Sequence, residues 1–245
     1  MKHGLAGRTK KDVAAAIGVT AAAVGQYECG VTKPRPDLIP RLAEELQVPV
    51  AFFISGRPHA RLDASGAHFR SLRSARVWQR DKAIAHVKQV WELALALEKR
   101  VQLPLVDLPG FAGGEVHPRA ELPSSPVDAS RALRAYWRLG SHPIPHLVRH
   151  LETRGIVVDA PPSSHADREV DAFSIAHLRP IIVLTANRTD DVYRWRFTAA
   201  HELGHLVLHG DTAPGDTRHE REANAFAAEF LTPREQHPAR AAGTG

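Results

Sequence analysis

The sequence predicts an α+β chain, with an all-helical module first and a compact domain carrying a small sheet and one functional helix after it. Three observations carry this reading. Short, capped helical patterns fill residues 10–54. Brief apolar runs of strand length stand at 155–159, 173–177 and 181–184. A long apolar helical pattern follows at 192–209.

With 245 residues, of which 43% are hydrophobic, the chain has room for two small domains. No run of 18 apolar residues exists, which excludes a hydrophobic membrane-spanning helix. The single cysteine, Cys29, excludes an intramolecular disulfide. It fits a reducing compartment, and residues 1–12 lack the apolar stretch of a secretory signal, so a cytoplasmic protein is expected. Charge is uneven. Residues 1–100 hold 17 Lys and Arg against nine Asp and Glu, while residues 101–245 hold 15 against 18. Only the first part suits a polyanionic partner.

Taken in order, residues 10–17 form an Ala-rich helix that Gly18 ends. Thr20 caps a second helix that stops near Gly30. Asp37 is expected to cap a third, with Leu38, Ile39, Leu42 and Leu46 on its apolar face. Residues 48–54 close this module, and Ser55-Gly-Arg-Pro58 marks its boundary. A long helix is expected within 68–101, with Ile84, Val87, Trp91 and Leu95 at helical spacing. The basic stretch at its start, residues 67–76, either adds phosphate contacts or docks Phe69 and Leu72 on the second domain. Five prolines and three glycines in 104–126 read as a connection. Two helices are expected at 128–139 and 144–154, then the three strands, of which 173–177 and 181–184 pair as a hairpin. Helices at 192–209 and 219–231 follow, and residues 236–245 form a polar tail. The expected organisation is a module over 1–58, a helical linker and connection over 59–127, and the second domain over 128–235.

The helix at 192–209 contains His201-Glu-Leu-Gly-His205. Residues four apart share a helical face, so both imidazoles can meet one ion. Nitrogen donors of this kind suit zinc, and Glu202, one residue on, is placed to act as general base for an activated water. In the flanks, from Phe197 to the first histidine and from Leu206 onward, the helix is mainly apolar, and the two histidines and Glu202 are its main polar interruption. Three ionisable groups on such a helix call for a partner, because desolvating them unpaired is costly. The third ligand is expected on the next helix. There Glu222 shares a face with Ala225, Phe226 and Glu229 and so projects inward. Glu220 and Arg221 fall outside that stripe and read as solvent-facing, and Glu229 is the alternative ligand. His209 reads as a helix-end residue.

The run Phe197-Thr-Ala-Ala-His-Glu-Leu-Gly-His-Leu-Val-Leu-His-Gly210, followed by Glu222-Ala-Asn-Ala-Phe-Ala-Ala-Glu-Phe-Leu-Thr-Pro233, resembles the ImmA/IrrE family of metallopeptidases over about residues 128–235. The resemblance implies a zincin-like fold, zinc as cofactor and a third ligand at the glutamate matching Glu222. It also implies a protein substrate, since known relatives cleave helix-turn-helix repressors of prophages, mobile elements or stress regulons. Zincins commonly bind peptide as an added strand beside the metal, for which 173–177 or 181–184 would serve.

Residues 10–18 and 20–30 have helix-turn-helix spacing. Asp12-Val-Ala-Ala-Ala-Ile-Gly-Val-Thr-Ala-Ala-Ala-Val-Gly-Gln-Tyr-Glu-Cys-Gly30, with Pro34-Arg-Pro-Asp-Leu, resembles the Cro/cI-like (XRE) DNA-binding domain over about residues 5–54. In that family a helix precedes the motif, and residues 1–7 are too few for a normal one. The resemblance places the second motif helix in the major groove. Its candidates there are Thr20, Ala21, Ala22, Ala23 and Gln26, of which only Thr20 and Gln26 offer hydrogen bonds to base edges, and Lys10, Lys33 and Arg35 are the expected phosphate contacts. The function expected from both parts is a regulatory zinc metalloendopeptidase fused to a DNA-binding module, controlling transcription by cleaving a repressor. The alternative is a DNA-binding regulator whose zinc domain is a sensor or scaffold, which leaves Glu202 without a purpose.

Overall fold

The structure is a computed structural model that describes residues 8–54, 77–109, 111, 122–160, 172–176, 179–184, 191–209 and 216–233, with the backbone alone at 54 and 77–80. The expected basic stretch at 67–76, any helix ahead of residue 8 and the polar tail lie outside them. The chain divides into two units, one holding the N-terminal helices with residues 75–102 and the other running from Leu103 onward.

In the first unit, α1 (Lys10–Ile17) starts at Thr9. Its hydroxyl accepts from the Asp12 N–H, while the Asp12 carboxylate accepts from the Thr9 N–H, a reciprocal cap that satisfies two end donors. α1 ends at Gly18 and α2 (Ala21–Cys29) at Gly30, both left-handed. Thr20 caps α2 by accepting from Ala23 N–H at 3.1 Å. Asp37 does not cap a helix. It lies inside a 3-10 turn, Pro36–Leu38, that leads directly into α3 (Ile39–Glu45), and its carboxylate takes the Arg35 guanidinium instead. α4 (Ala51–Ile54) closes the module. Val13, Ile17, Val24, Leu42 and Leu46 form its core, with Phe52 and Phe53 against it. α5 (Val77–Glu98) buries Val87, Trp91 and Ala94 at helical spacing.

The second unit begins earlier than composition suggests, because part of the Pro/Gly-rich connection packs on it. Asp107 accepts from Tyr136 Oη at 2.6 Å and pairs with Arg154 at 3.2 Å, while Leu108 and Phe111 enter the core. α6 (Pro126–Tyr136) and α7 (Leu147–Thr153) precede β1 (Val157–Asp159), β2 (Ala172–Ile175) and β3 (Ile181–Leu184). β2 and β3 pair antiparallel, as the hairpin reading expects, and β1 joins β3 in parallel, giving the order β1-β3-β2. β3 has a neighbour on each side, so residues 181–184 cannot take an added substrate strand; of the two expected segments only β2 stays eligible. All four residues of β2 and of β3 are buried, which accounts for the unbroken apolar run of β3 and leaves Ser174 as the one polar residue of β2. α8 (Val192–Leu208) packs on β2 and β3, and α9 (Thr217–Leu231) packs on α8 and α6. Arg134 of α6 is buried, and its guanidinium donates to the carbonyls of Phe230, Gly140 and His142, tying the end of α9 to the α6–α7 turn. Among the described residues, no helix is long and apolar enough to cross a membrane.

Gly155 is where the chain turns from α7 into β1. Its φ is +75°, and a Cβ there would lie 2.6 Å from the Leu105 carbonyl oxygen. A left-handed non-glycine residue costs about 1–2 kcal/mol before any overlap is counted. Gly155→Ala is therefore expected to lower the thermal midpoint by several degrees in a circular-dichroism melt; an unchanged midpoint would rule this account out.

Candidate metal centre

α8 and α9 come together around Gly204. A Cβ on Gly204 would stand 3.1 Å from Phe226 Cδ1 and 3.3 Å from Ala223 Cα, so the missing side chain permits the close approach. That approach sets the first turn of α9 against the two histidines of α8. His201 Nε2 and His205 Nε2 lie 3.0 Å apart. Glu220 Oε2 is 3.3 Å from the first, and Glu220 Oε1 is 3.4 Å from the second. Donors about 2.05 Å from a tetrahedral ion are about 3.3 Å from one another. The spacing fits a single ion.

The hydrogen bonds fit as well. His201 Nδ1 is 2.9 Å from Asn224 Oδ1, and an amide oxygen only accepts, so the ring carries its proton there and turns a lone pair at Nε2 inward. Lone pairs facing a carboxylate repel unless a cation or proton lies between them. Burial alone would lower the His201 pKa, but the Glu220 hydrogen bond and the charges of Glu202 and Glu220 outweigh it and raise the pKa above the ordinary value. The charges of Glu202 and Glu220 thus favour a cation at this position.

The third position corrects the sequence reading. Glu220, expected in solvent, is buried beside His201 and His205, and it completes the group that can hold an ion. Glu222 is instead 2.9 Å from His209 Nε2 and 2.7 Å from Arg218 Nε. Both contacts, His209 first, hold its carboxyl below the usual carboxylate range. Glu229, the alternative ligand, is buried in an ion pair with Arg131 at 2.8 Å and belongs to the α6–α9 contact. The buried stripe of α9 contains Ala223, Phe226, Ala227 and Phe230. At about 100° per residue, Glu220 and Glu222 flank it on opposite borders. Glu220 stands three and seven residues ahead of Ala223 and Ala227, and Glu222 four and eight ahead of Phe226 and Phe230, so register alone does not separate the two.

Glu202 is buried, and its Oε2 accepts from Ser174 Oγ at 2.8 Å. Burial raises its pKa; the two imidazoles and the Ser174 hydrogen bond oppose this, and the Glu220 charge adds to it. Sequence reasoning missed Ser174, Asn224 and the His209–Glu222 contact, since each depends on a partner from another element. His209 does end α8, its N–H donating to the His205 carbonyl. It is buried, and burial above all pulls its pKa down to about 4.

In the first unit, Gln26, Lys33 and Arg35 are exposed. Thr20 Oγ1 accepts from the Ala23 N–H in the α2 cap. Lys10 is paired with Glu28 at 3.0 Å, and Arg35 with Asp37 at 3.0 Å. Lys33 is thus the expected phosphate contact for which no acidic partner is described.

Metal content distinguishes Glu220 from Glu229. Glu220→Ala is expected to lose stoichiometric zinc after dialysis, and Glu229→Ala to keep it, as read by elemental analysis. Zinc retained by Glu220→Ala would send the third position elsewhere.

Residues 151–243 match the model of the IrrE N-terminal-like domain, a peptidase family, and residues 4–53 match the helix-turn-helix model. No curated protein and no solved structure matched the chain. The chain joins an XRE-type helix-turn-helix domain to a peptidase-family domain of the IrrE/ImmA type.

Proposed function

We propose that this chain is a regulatory zinc metalloendopeptidase joined to a DNA-binding module, with a helix-turn-helix repressor as its substrate. The observation that carries the reading is the convergence of His201, His205 and Glu220 at tetrahedral spacing, one residue from a buried carboxylate. These three residues would hold zinc. Zinc bound there supplies Lewis acidity, lowering the pKa of water towards neutrality and polarising a peptide carbonyl.

The chain's own residues do the rest. Ser174 donates to Glu202 Oε2 and leaves Oε1 to take the proton of the attacking water. A carboxyl whose pKa is raised by burial can hold that proton and deliver it to the leaving amine nitrogen as the C–N bond breaks. A zinc site that only sensed or braced would have no use for this held carboxylate. The repressor substrate is supported by the resemblance of the paired helices to ImmA/IrrE peptidases. The helix-turn-helix domain supports DNA as a partner, with Gln26 on the exposed side of α2 and Lys33 and Arg35 on the loop after it.

Glu202→Gln is expected to retain zinc and to abolish cleavage of a co-expressed repressor, read by immunoblot. Persistent cleavage would remove the enzyme reading. In DNA binding, Lys33→Ala with Arg35→Ala should weaken affinity evenly across sequences. It should also reduce the salt slope of log K by about 1 per residue, measured by fluorescence anisotropy. An unchanged slope would take both residues off the phosphates.

A further inference from the structure

Behind the metal-facing histidines lies a second group of ionisable side chains, His209, His219 and Glu222. The proposed reaction does not use it. His205 Nδ1 is 3.2 Å from His209 Nδ1, His209 Nε2 is 2.9 Å from Glu222 Oε2, and Arg218 Nε donates to Glu222 Oε1 at 2.7 Å. These contacts form one continuous chain from an exposed guanidinium to the metal-facing ring.

Its polarity follows by elimination. An ionised carboxylate only accepts, so His209 carries its proton on Nε2 and donates to Glu222. A neutral, buried His209 then has a bare Nδ1, which can only accept. The proton between the two Nδ1 atoms therefore belongs to His205. With its proton on Nδ1, a neutral His205 turns the Nε2 lone pair towards His201 and Glu220.

We propose that Glu222 and His209 are positioning residues that fix the His205 tautomer and so set the zinc affinity of the site. The proposal rests on the zinc site of the preceding subsection. Hydrogen bonds to the far nitrogen of a ligating imidazole orient the ring and raise its basicity, and removing such a partner typically costs 10–100-fold in metal affinity. Here the carboxylate acts through an intervening imidazole. A second ion in the same group fits less well. The His209 and His219 rings are stacked, with centroids 4.3 Å apart and planes inclined by 27°. Ring lone pairs lie in the ring plane, so those of near-parallel rings run side by side and do not converge. Both Glu222 oxygens are also already engaged.

Two measurements on the full chain test this. In the metal-free protein near pH 8, long-range nitrogen–proton NMR of the histidine rings should show the proton of His205 on Nδ1 and that of His209 on Nε2. Glu222→Ala should mix the tautomers of both rings, a change that a purely structural role would not produce. A His205 proton on Nε2 in the wild type overturns the proposal. In the second measurement, chelator competition should show zinc bound 10–100-fold more weakly by His209→Leu and Glu222→Ala. His209→Asn, whose amide oxygen can stand where Nδ1 stood, should recover most of the loss. Wild-type affinity in Glu222→Ala, or two zinc ions per wild-type chain, would sink the relay. Should His209→Leu not fold, the more exposed Glu222→Ala carries the test. A wild type that binds no zinc refutes the metal reading, whereas the NMR result judges the hydrogen-bond chain independently.

Discussion

Gly204 lies between Glu202 and His205, one turn of helix from His201, and the packing of α8 on α9 depends on its bare Cα. With Phe226 and Ala223 at 3.1 and 3.3 Å from a hypothetical Cβ, any side chain would push α9 outward by a few tenths of an ångström or force Phe226 aside. Glu220, Asn224 and Glu222 all sit on α9 and make three contacts with the histidine row: Glu220 with the His201–His205 pair, Asn224 with His201, and Glu222 with His209 at the end of α8. Moving one helix would disturb all three contacts together. The apolar stripe of α9 therefore serves the site as well as the core, because it sets the separation at which polar groups on both of its borders meet their partners.

Charge in the site is arranged so that each strong acceptor meets a donor or faces the ion position. Asn224 and His209 take the outer protons of the two metal-facing rings, Ser174 takes one oxygen of Glu202, and Arg218 anchors Glu222. Such partners fix ring orientation before a metal arrives, which reduces the reorganisation that binding would otherwise require. Carboxylates elsewhere on these helices have structural work. Glu229 and Arg131 join α6 to α9 inside the domain, where a lone charge would be costly.

The helix-turn-helix unit is built on a different principle. Its core is a small apolar cluster closed by helix caps at Thr9 and Thr20 and by left-handed glycines at Gly18 and Gly30. Several of its polar side chains are tied to one another. Lys10 pairs with Glu28, so the basic surface it offers a polyanion is smaller than the count of lysines and arginines implies.

Local chemistry settled much of this protein from the sequence. The caps and glycines place the first two helices, strand-length apolar runs mark the sheet, and spacing along one helix is enough to put His201 and His205 on a common face with Glu202 beside them. Those readings need only the backbone's own period. The third carboxylate was a different kind of question. Glu220 and Glu222 stand on opposite borders of one stripe, and the period of α9 cannot say which border turns towards the histidines. Packing on α8 decided it, by bringing Glu220 to His201 and His205 and leaving Glu222 to His209. The same holds for Ser174 beneath Glu202 and for β3 lying inside the sheet, since contacts between distant segments are set by how helices and strands stack.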